Sequence, residues 1–225
     1  MLAQRLSATL QSLENAAIAS DRPLPRLLAV SKTQTATAVA ALAAAGQRAF
    51  GENYVQEAQT KIRDLAQAGL EWHLIGHLQS NKAEAAADLF DWVQTVDRTK
   101  LVAALARYRP PHRPPLNVLV QVNIDDEASK HGCAPEQVAE LAAAIEREPR
   151  LVLRGLMAIP APHPDLESRR PAYRAMATLF DALAARHKSV DTLSMGMSDD
   201  FPLAIAEGAT MVRIGTALFG PRSQQ

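Results

Sequence analysis

The sequence predicts an α/β fold, a single (β/α)8 or TIM barrel with an extra N-terminal helix, and residues 1–225 as one domain. Three observations predict it. Eight short apolar runs alternate with helical stretches from residue 26 onward. The length of 225 residues suits one barrel with a large core. Finally, Lys32, Asn53, His77, Asp97, Asn123, Met157, Ser194 and Arg213 each fall at or just past the C-terminal end of a different run. A barrel gathers those ends at one mouth, where active sites are built. An open doubly wound sheet, the runner-up, scatters several of them away from its switch point.

The elements follow in order. Leu2, Leu6, Leu10 and Leu13 recur at helical spacing with Arg5 and Glu14 between them, which predicts an amphipathic first helix and not a secretory signal. The run RLLAV at 26–30 reads as the first strand, with a helix over 37–45. Strands at 48–51, 71–75 and 91–96 follow, with helices over 55–68, from about 80, and over 99–108. The clearest strand is 116–122, β-branched and bounded by prolines; its helix runs from Pro135, a good first-turn residue, to about 148. Strands at 151–157, 192–194 and 211–214 complete the set, with helices over 171–187 and 201–207. The proline-rich stretches 109–115 and 160–164 read as loops within the domain.

Composition narrows the function. Formal net charge is zero, which favours neither nucleic-acid nor membrane partners. No run of about 18 apolar residues predicts a spanning helix. A single cysteine, Cys133, excludes an internal disulfide and reads as an ordinary loop thiol, so a reducing, cytoplasmic setting is expected. No His/Cys/Asp group has metal-ligand spacing, so no metal is expected, and no Ser-His-Asp arrangement or GxxxxGK[ST] loop stands out.

Two segments carry the chemistry. Lys32 closes the run AVSK; burial at a strand end would supply the neutral amine that attacks an aldehyde, and the alternative is a rim lysine with its head in water. Ser194, Gly196 and Ser198 in LSMGMSDDF, with Gly215 and Thr216 in VRIGTA, offer close backbone approach and helix-start N–H groups for a phosphate. They fall after the seventh and eighth strands, a common phosphate position in barrels. Ordinary capping by Asp199 or Asp200 is the alternative. An aldehyde at one end and a phosphate at the other describe pyridoxal 5′-phosphate (PLP).

Seven motifs extend this reading: AVSK at 29–32, FGENYVQEA at 50–58, WHLIGHLQSNK at 72–82, VNIDDEASKHG at 122–132, GLMAI at 155–159, LSMGMSDDF at 193–201 and VRIGTALFG at 212–220. In this order they resemble the pyridoxal phosphate homeostasis protein family over nearly the whole chain. The resemblance implies the barrel half of a fold-type III PLP enzyme such as alanine racemase, with PLP held as a Lys32 imine. It implies that Arg213, in the Arg-x-Gly spacing of the racemases, partners the pyridine nitrogen; a salt bridge at the barrel mouth is the alternative. Arginine donates to that nitrogen but does not protonate it, which leaves a weak electron sink. Asn53 is placed beside the ring oxygen or imine, or as an N-cap. Met157 is placed beside the ring, or in the core. His77 reads as a satisfied loop histidine, and Asp125, Asp126 and Lys130 as a lid or a solvated charge cluster.

The function so implied is PLP holding in vitamin B6 and amino-acid homeostasis, without established turnover and with apo PLP-dependent enzymes as candidate partners. Amino-acid racemisation is the alternative. It needs a base on each face of the substrate carbanion. Full-length racemases take one from a second domain that this chain is expected to lack, and Tyr54 and Tyr108 have no evident claim to that role. A lysine-imine aldolase is a third reading. Fold-type III racemases dimerise largely through the second domain, so a monomer is expected.

Overall fold

The computed structural model describes residues 1–125, 127 and 131–220. Their eight strands form a closed barrel in which each strand pairs in parallel with its neighbours in chain order and the eighth returns to the first. The strands are β1 (Arg26–Val30), β2 (Ala49–Glu52), β3 (Glu71–Leu74), β4 (Trp92–Val96), β5 (Leu116–Gln121), β6 (Leu151–Met157), β7 (Thr192–Ser194) and β8 (Met211–Ile214). Around them lie α1 (Leu2–Ala19), α2 (Ala36–Ala44), α3 (Val55–Asp64), α4 (Ala83–Leu89), α5 (Thr99–Tyr108), α6 (Val138–Glu146), α7 (Arg170–Ala184), α8 (Phe201–Ala206) and α9 (Thr216–Phe219). No helix among the described residues is long and apolar enough to cross a membrane.

Alternation along the strands sorts two cores. Ala29, Phe50, Leu74, Val93, Val118, Leu193 and Val212 face outward and join the helices in one large apolar cluster. Leu28, Ala49, Ile75 and Met211 form a smaller inner cluster with Val30 against it, and Trp92, Leu119 and Met157 form another. Continuing that period past the strand ends carries Lys32, Asn53 and His77 to the inner rim of the mouth.

Three details differ from the sequence expectation. In α1 the buried ridge is Leu6, Thr9, Leu13 and Ala17, while Leu10 is 43% exposed. Spacings of three and four keep that ridge on one stripe, and Leu10 lies off it. The helix expected over 55–68 leaves helical geometry at Leu65 and continues as a 3-10 turn, Ala66–Ala68. Similar turns, Ser80–Lys82 and Pro135–Gln137, precede α4 and α6. The short α9 has no counterpart in the sequence reading.

Candidate functional site

Four successive strand ends, β7, β8, β1 and β2, carry most of the residues singled out in the sequence. β1 pairs with β8 so that Leu28 lies opposite Arg213 and Ala29 opposite Ile214. Lys32 stands just beyond β1, half-buried, and forms no hydrogen bond or ion pair with any described residue. The next residue, Thr33, has φ of 64°, in the left-handed region. A Cβ on Gly215 would lie 3.3 Å from the Val30 carbonyl oxygen, so the β8 loop closes directly against the end of β1.

Behind Lys32 lies a network that the sequence reading missed. Lys61, on α3 and 5% exposed, donates to the Ser31 carbonyl at 2.7 Å, to Glu52 Oε1 at 2.8 Å and to Glu57 Oε1 at 2.7 Å. Ser31 Oγ donates to the same Glu52 oxygen at 2.5 Å, and the Thr33 N–H donates to Glu57 Oε1 at 2.6 Å. Burial raises the Glu52 carboxyl above its ordinary range despite the hydrogen bonds from Lys61 and Ser31, and its Oε2 has no hydrogen-bond partner among the described residues. The available signal was Glu57 and Lys61 at i and i+4 on one helix.

Arg213 is buried to 4% exposure and sits inside the barrel. It donates to Ser194 Oγ and to the Ala158 carbonyl, both at 2.8 Å, and burial lowers its pKa to about 10. No carboxylate touches it, so the salt bridge considered from sequence is not formed among the described residues. Ser194 is fully buried and its hydroxyl donates to Gln94 Oε1 at 2.7 Å. Its hydroxyl therefore supports Arg213 and is not turned to the rim as a phosphate ligand.

The loop after β7 does reach the rim. Gly196 has φ of +89°, and a Cβ there would fall 2.5 Å from that of Ala204; only glycine makes this turn without strain. Its carbonyl accepts the Arg213 N–H at 3.1 Å. Asp200, at the start of α8, makes no side-chain cap to that helix. It accepts instead from the Met197 N–H and from Arg169, both at 2.7 Å, and from the Tyr173 hydroxyl at 2.8 Å, fixing the loop that carries half-buried Ser198. Thr216 opens α9 beside Gly215, where first-turn N–H groups have no partner within the helix.

Asn53 does not cap α3; that position belongs to Tyr54, which makes no side-chain cap. Asn53 instead walls two adjoining cavities of about 290 and 280 Å³ at the mouth, together with Gly76 and His77. Gly76 permits this contact, because a Cβ would lie 2.1 Å from the Asn53 carbonyl oxygen. Lys32 and Arg213 line neither cavity. Met157 has no exposed surface and packs on Trp92 and Leu119, in the core instead of the pocket wall. Cys133 is buried beside β5, and burial pushes its thiol up to about 12.

The fold also gathers His77, Asp97 and His131, whose ligand atoms lie within 4.8 Å of one another. Sequence spacing concealed this group, since the three residues follow different strands. The His77 and His131 imidazoles stack with centroids 3.6 Å apart and planes 13° from parallel, so no single ion lies in both ring planes. Burial, then His131, holds His77 below its ordinary pKa. Asp125 accepts from the Ala161 N–H at 2.5 Å, tying the loop after β5 to the loop after β6. Asp126 and Lys130 lie outside the described residues.

The barrel, the lysine after β1 and the arginine on β8 define the class: a barrel of the alanine racemase N-terminal type. The model for "Alanine racemase, N-terminal domain" matches residues 3–223. Within that class, the chain belongs to the pyridoxal phosphate homeostasis protein family. It is 55% identical to the Escherichia coli K12 pyridoxal phosphate homeostasis protein over 199 residues, covering 87% of this chain and 85% of that one. The Pasteurella multocida protein of the same name is 50% identical over 225 residues, with 97% of each chain covered. Among solved structures, PipY of Synechococcus elongatus PCC7942 without PLP has a TM-score of 0.87 at 36% identity, covering 98% of this chain and all of that one. PipY with PLP bound has a TM-score of 0.82 at 35% identity and the same coverage.

Proposed function

We propose that this protein holds PLP at the β7–β8–β1–β2 arc of the barrel mouth and serves vitamin B6 and amino-acid homeostasis, without substrate turnover of its own. The observation that carries the reading is Lys32, a half-buried lysine at a strand end with no partner among the described residues. An unpartnered ammonium is costly to bury, so an amine kept in that position suits covalent capture of an aldehyde. The donor set suits the rest of PLP. The buried guanidinium of Arg213 uses two acceptors and retains N–H groups for a pyridine nitrogen. Gly196, Ser198, Gly215 and Thr216 present backbone and hydroxyl donors for a phosphate, and Asn53 faces the mouth from β2. The names of the relatives and the PLP-bound PipY structure support the same reading.

When bound, PLP supplies an aldehyde for amines and a ring that withdraws electrons. The chain's residues then hold and orient it. Arg213 remains protonated and donates without giving up its proton, which keeps the ring a poor electron sink and favours storage over carbanion chemistry. Cavities opening beside Asn53 leave the mouth accessible for release to apo PLP-dependent enzymes. The lone buried thiol fits a reducing, cytoplasmic setting.

The test is the visible spectrum of purified protein with added PLP, beside Lys32→Ala. An absorption band of lysine-bound PLP is expected in wild type and absent in the variant. Incubation with D- and L-alanine and a chiral assay then separates holding from racemisation. A wild-type protein that shows no band with excess PLP overturns the reading, and steady racemisation at enzyme-like rates overturns the absence of turnover.

A further inference from the structure

Barrel interiors of this kind are filled with apolar layers. Here a row of polar side chains crosses the lumen. It begins at Arg213 on β8, passes Ser194 on β7, Gln94 on β4 and His73 on β3, and ends at Glu71, the first residue of β3. Glu71 lies at the N-terminal end of its strand, on the face opposite the mouth, where Arg26 pairs with it at 2.6 Å. Arg213, Ser194, Gln94 and His73 are each buried to 4% exposure or less. Four buried polar side chains in one lumen need a reason, because a buried polar group that loses its partner is left desolvated and unsatisfied.

Donor bookkeeping gives the row a direction. A guanidinium only donates, so Ser194 Oγ accepts from Arg213 at 2.8 Å. The Ser194 hydroxyl then donates to Gln94 Oε1 at 2.7 Å, which leaves Gln94 Nε2 to donate to His73 Nδ1 at 2.9 Å. His73 must therefore carry its proton on Nε2, and it donates to the Glu71 carboxylate. Every hydrogen bond points from the cation at the mouth to the anion at the far face, an arrangement in which the bonds polarise one another. Burial holds His73 below its ordinary pKa, in keeping with the neutral ring this pattern requires.

We propose that Gln94, His73 and Glu71 are positioning residues for Arg213: through Ser194 they fix the orientation in which the guanidinium meets its ligand, with Glu71 as a distant counter-charge. The proposal deepens the reading of the mouth as a PLP site and rests on it. The row also sets a pH response. Around His73 stand Glu71 on its own strand, Arg26 at the head of β1, Asp91 before β4, and Gln94 with the stacked Trp92 on β4, whose ring centroid is 5.0 Å away. A proton on His73 Nδ1 sets donor against donor at Gln94. The amide must then turn and offer its NH2 to Ser194, which removes the serine's acceptor and loosens the hold on Arg213.

Two variants test this. Glu71→Gln changes a partly exposed side chain at the opposite face and keeps the fold, while removing the terminal charge. Gln94→Met keeps the volume and cuts the row. PLP affinity is expected to fall about threefold in Glu71→Gln and about tenfold in Gln94→Met, the range in which remote residues modulate a site. The pH profile of the lysine-bound band should shift in both. In the cofactor-free protein, NMR should show slowly exchanging Arg213 N–H signals in wild type that broaden in each variant. Unchanged affinity, band and Arg213 signals in Glu71→Gln overturn the proposal even if Gln94→Met fails to fold. Loss of PLP binding in wild type itself strikes the PLP reading, and the Arg213 signals of the free protein still decide the positioning.

Discussion

Two lysines stand on either side of the end of β1, and the fold treats them in opposite ways. Lys61 is nearly inaccessible, and its ammonium meets three acceptors within 2.8 Å. Lys32 is half-buried and meets none among the described residues. A buried ammonium persists in a folded protein only when its lost hydration is replaced by partners. Lys61 satisfies that condition within the chain; Lys32, partly exposed, has no such partner among the described residues and keeps access to solvent. The two are also linked. Lys61 holds the Ser31 carbonyl directly and, through Glu57, the Thr33 N–H, so both peptide groups flanking Lys32 are gripped by one side chain. The same grip maintains Thr33 at φ 64°, a conformation that costs about 1–3 kcal/mol for a non-glycine residue.

The largest expected effect follows from removing the partnered lysine. Lys61→Met leaves Glu52 buried without its cation and should lower unfolding free energy in urea by about 3–5 kcal/mol. Adding Glu52→Leu should restore a substantial part, because the orphaned charge leaves with it. If Lys61→Met costs less than about 1 kcal/mol on the same scale, the contrast between the two lysines collapses.

A pH effect sharpens the contrast. Burial raises Glu52 above the ordinary carboxylate range even with Lys61 in place. A carboxyl with a raised native pKa binds more protons folded than unfolded, so its contribution is complete below the unfolded pKa of about 4.5 and fades as pH rises through the native value. Without Lys61 that value rises further. The stability of Lys61→Met should therefore fall more steeply than that of wild type as pH rises above about 4.5, by about 1.4 kcal/mol for every tenfold weakening of Glu52 as an acid. Urea midpoints across that range provide the check, and parallel profiles would remove Lys61 as the group that keeps Glu52 ionised.

The comparison also shows what a sequence makes visible. The strands were legible because each is a short apolar run between turn residues, and 26–30, 151–157, 192–194 and 211–214 match the observed bounds. Lys32, Asn53 and Arg213 were legible as polar residues closing or following such runs. Lys61 was not, because apart from Glu57 on its own helix its partners, Ser31 after β1 and Glu52 on β2, meet it only when α3 packs against the paired strands. His73 and Gln94 left a fainter sign: each is a polar residue at an inward position of a short strand, His73 between Trp72 and Leu74 and Gln94 between Val93 and Thr95. Leu10 misled because a leucine four residues after Leu6 fits a helical stripe, yet the helix turns it outward. Ser194 was correctly located at a strand end, but whether its hydroxyl faced the rim or the lumen depended on a strand of three residues.

The smallest stability effect belongs to the unpartnered lysine and is the most discriminating. Lys32→Met keeps the aliphatic stem and its contacts and removes only a charge that no described residue satisfies. Its urea stability should stay within about 0.5 kcal/mol of wild type, as for substitutions that break no packing or pairing. PLP capture should be lost in the same variant. A loss of about 2 kcal/mol or more would mean that Lys32 is bound into the fold as Lys61 is. Stability retained together with the loss of capture identifies an amine whose place in the structure is explained by its ligand.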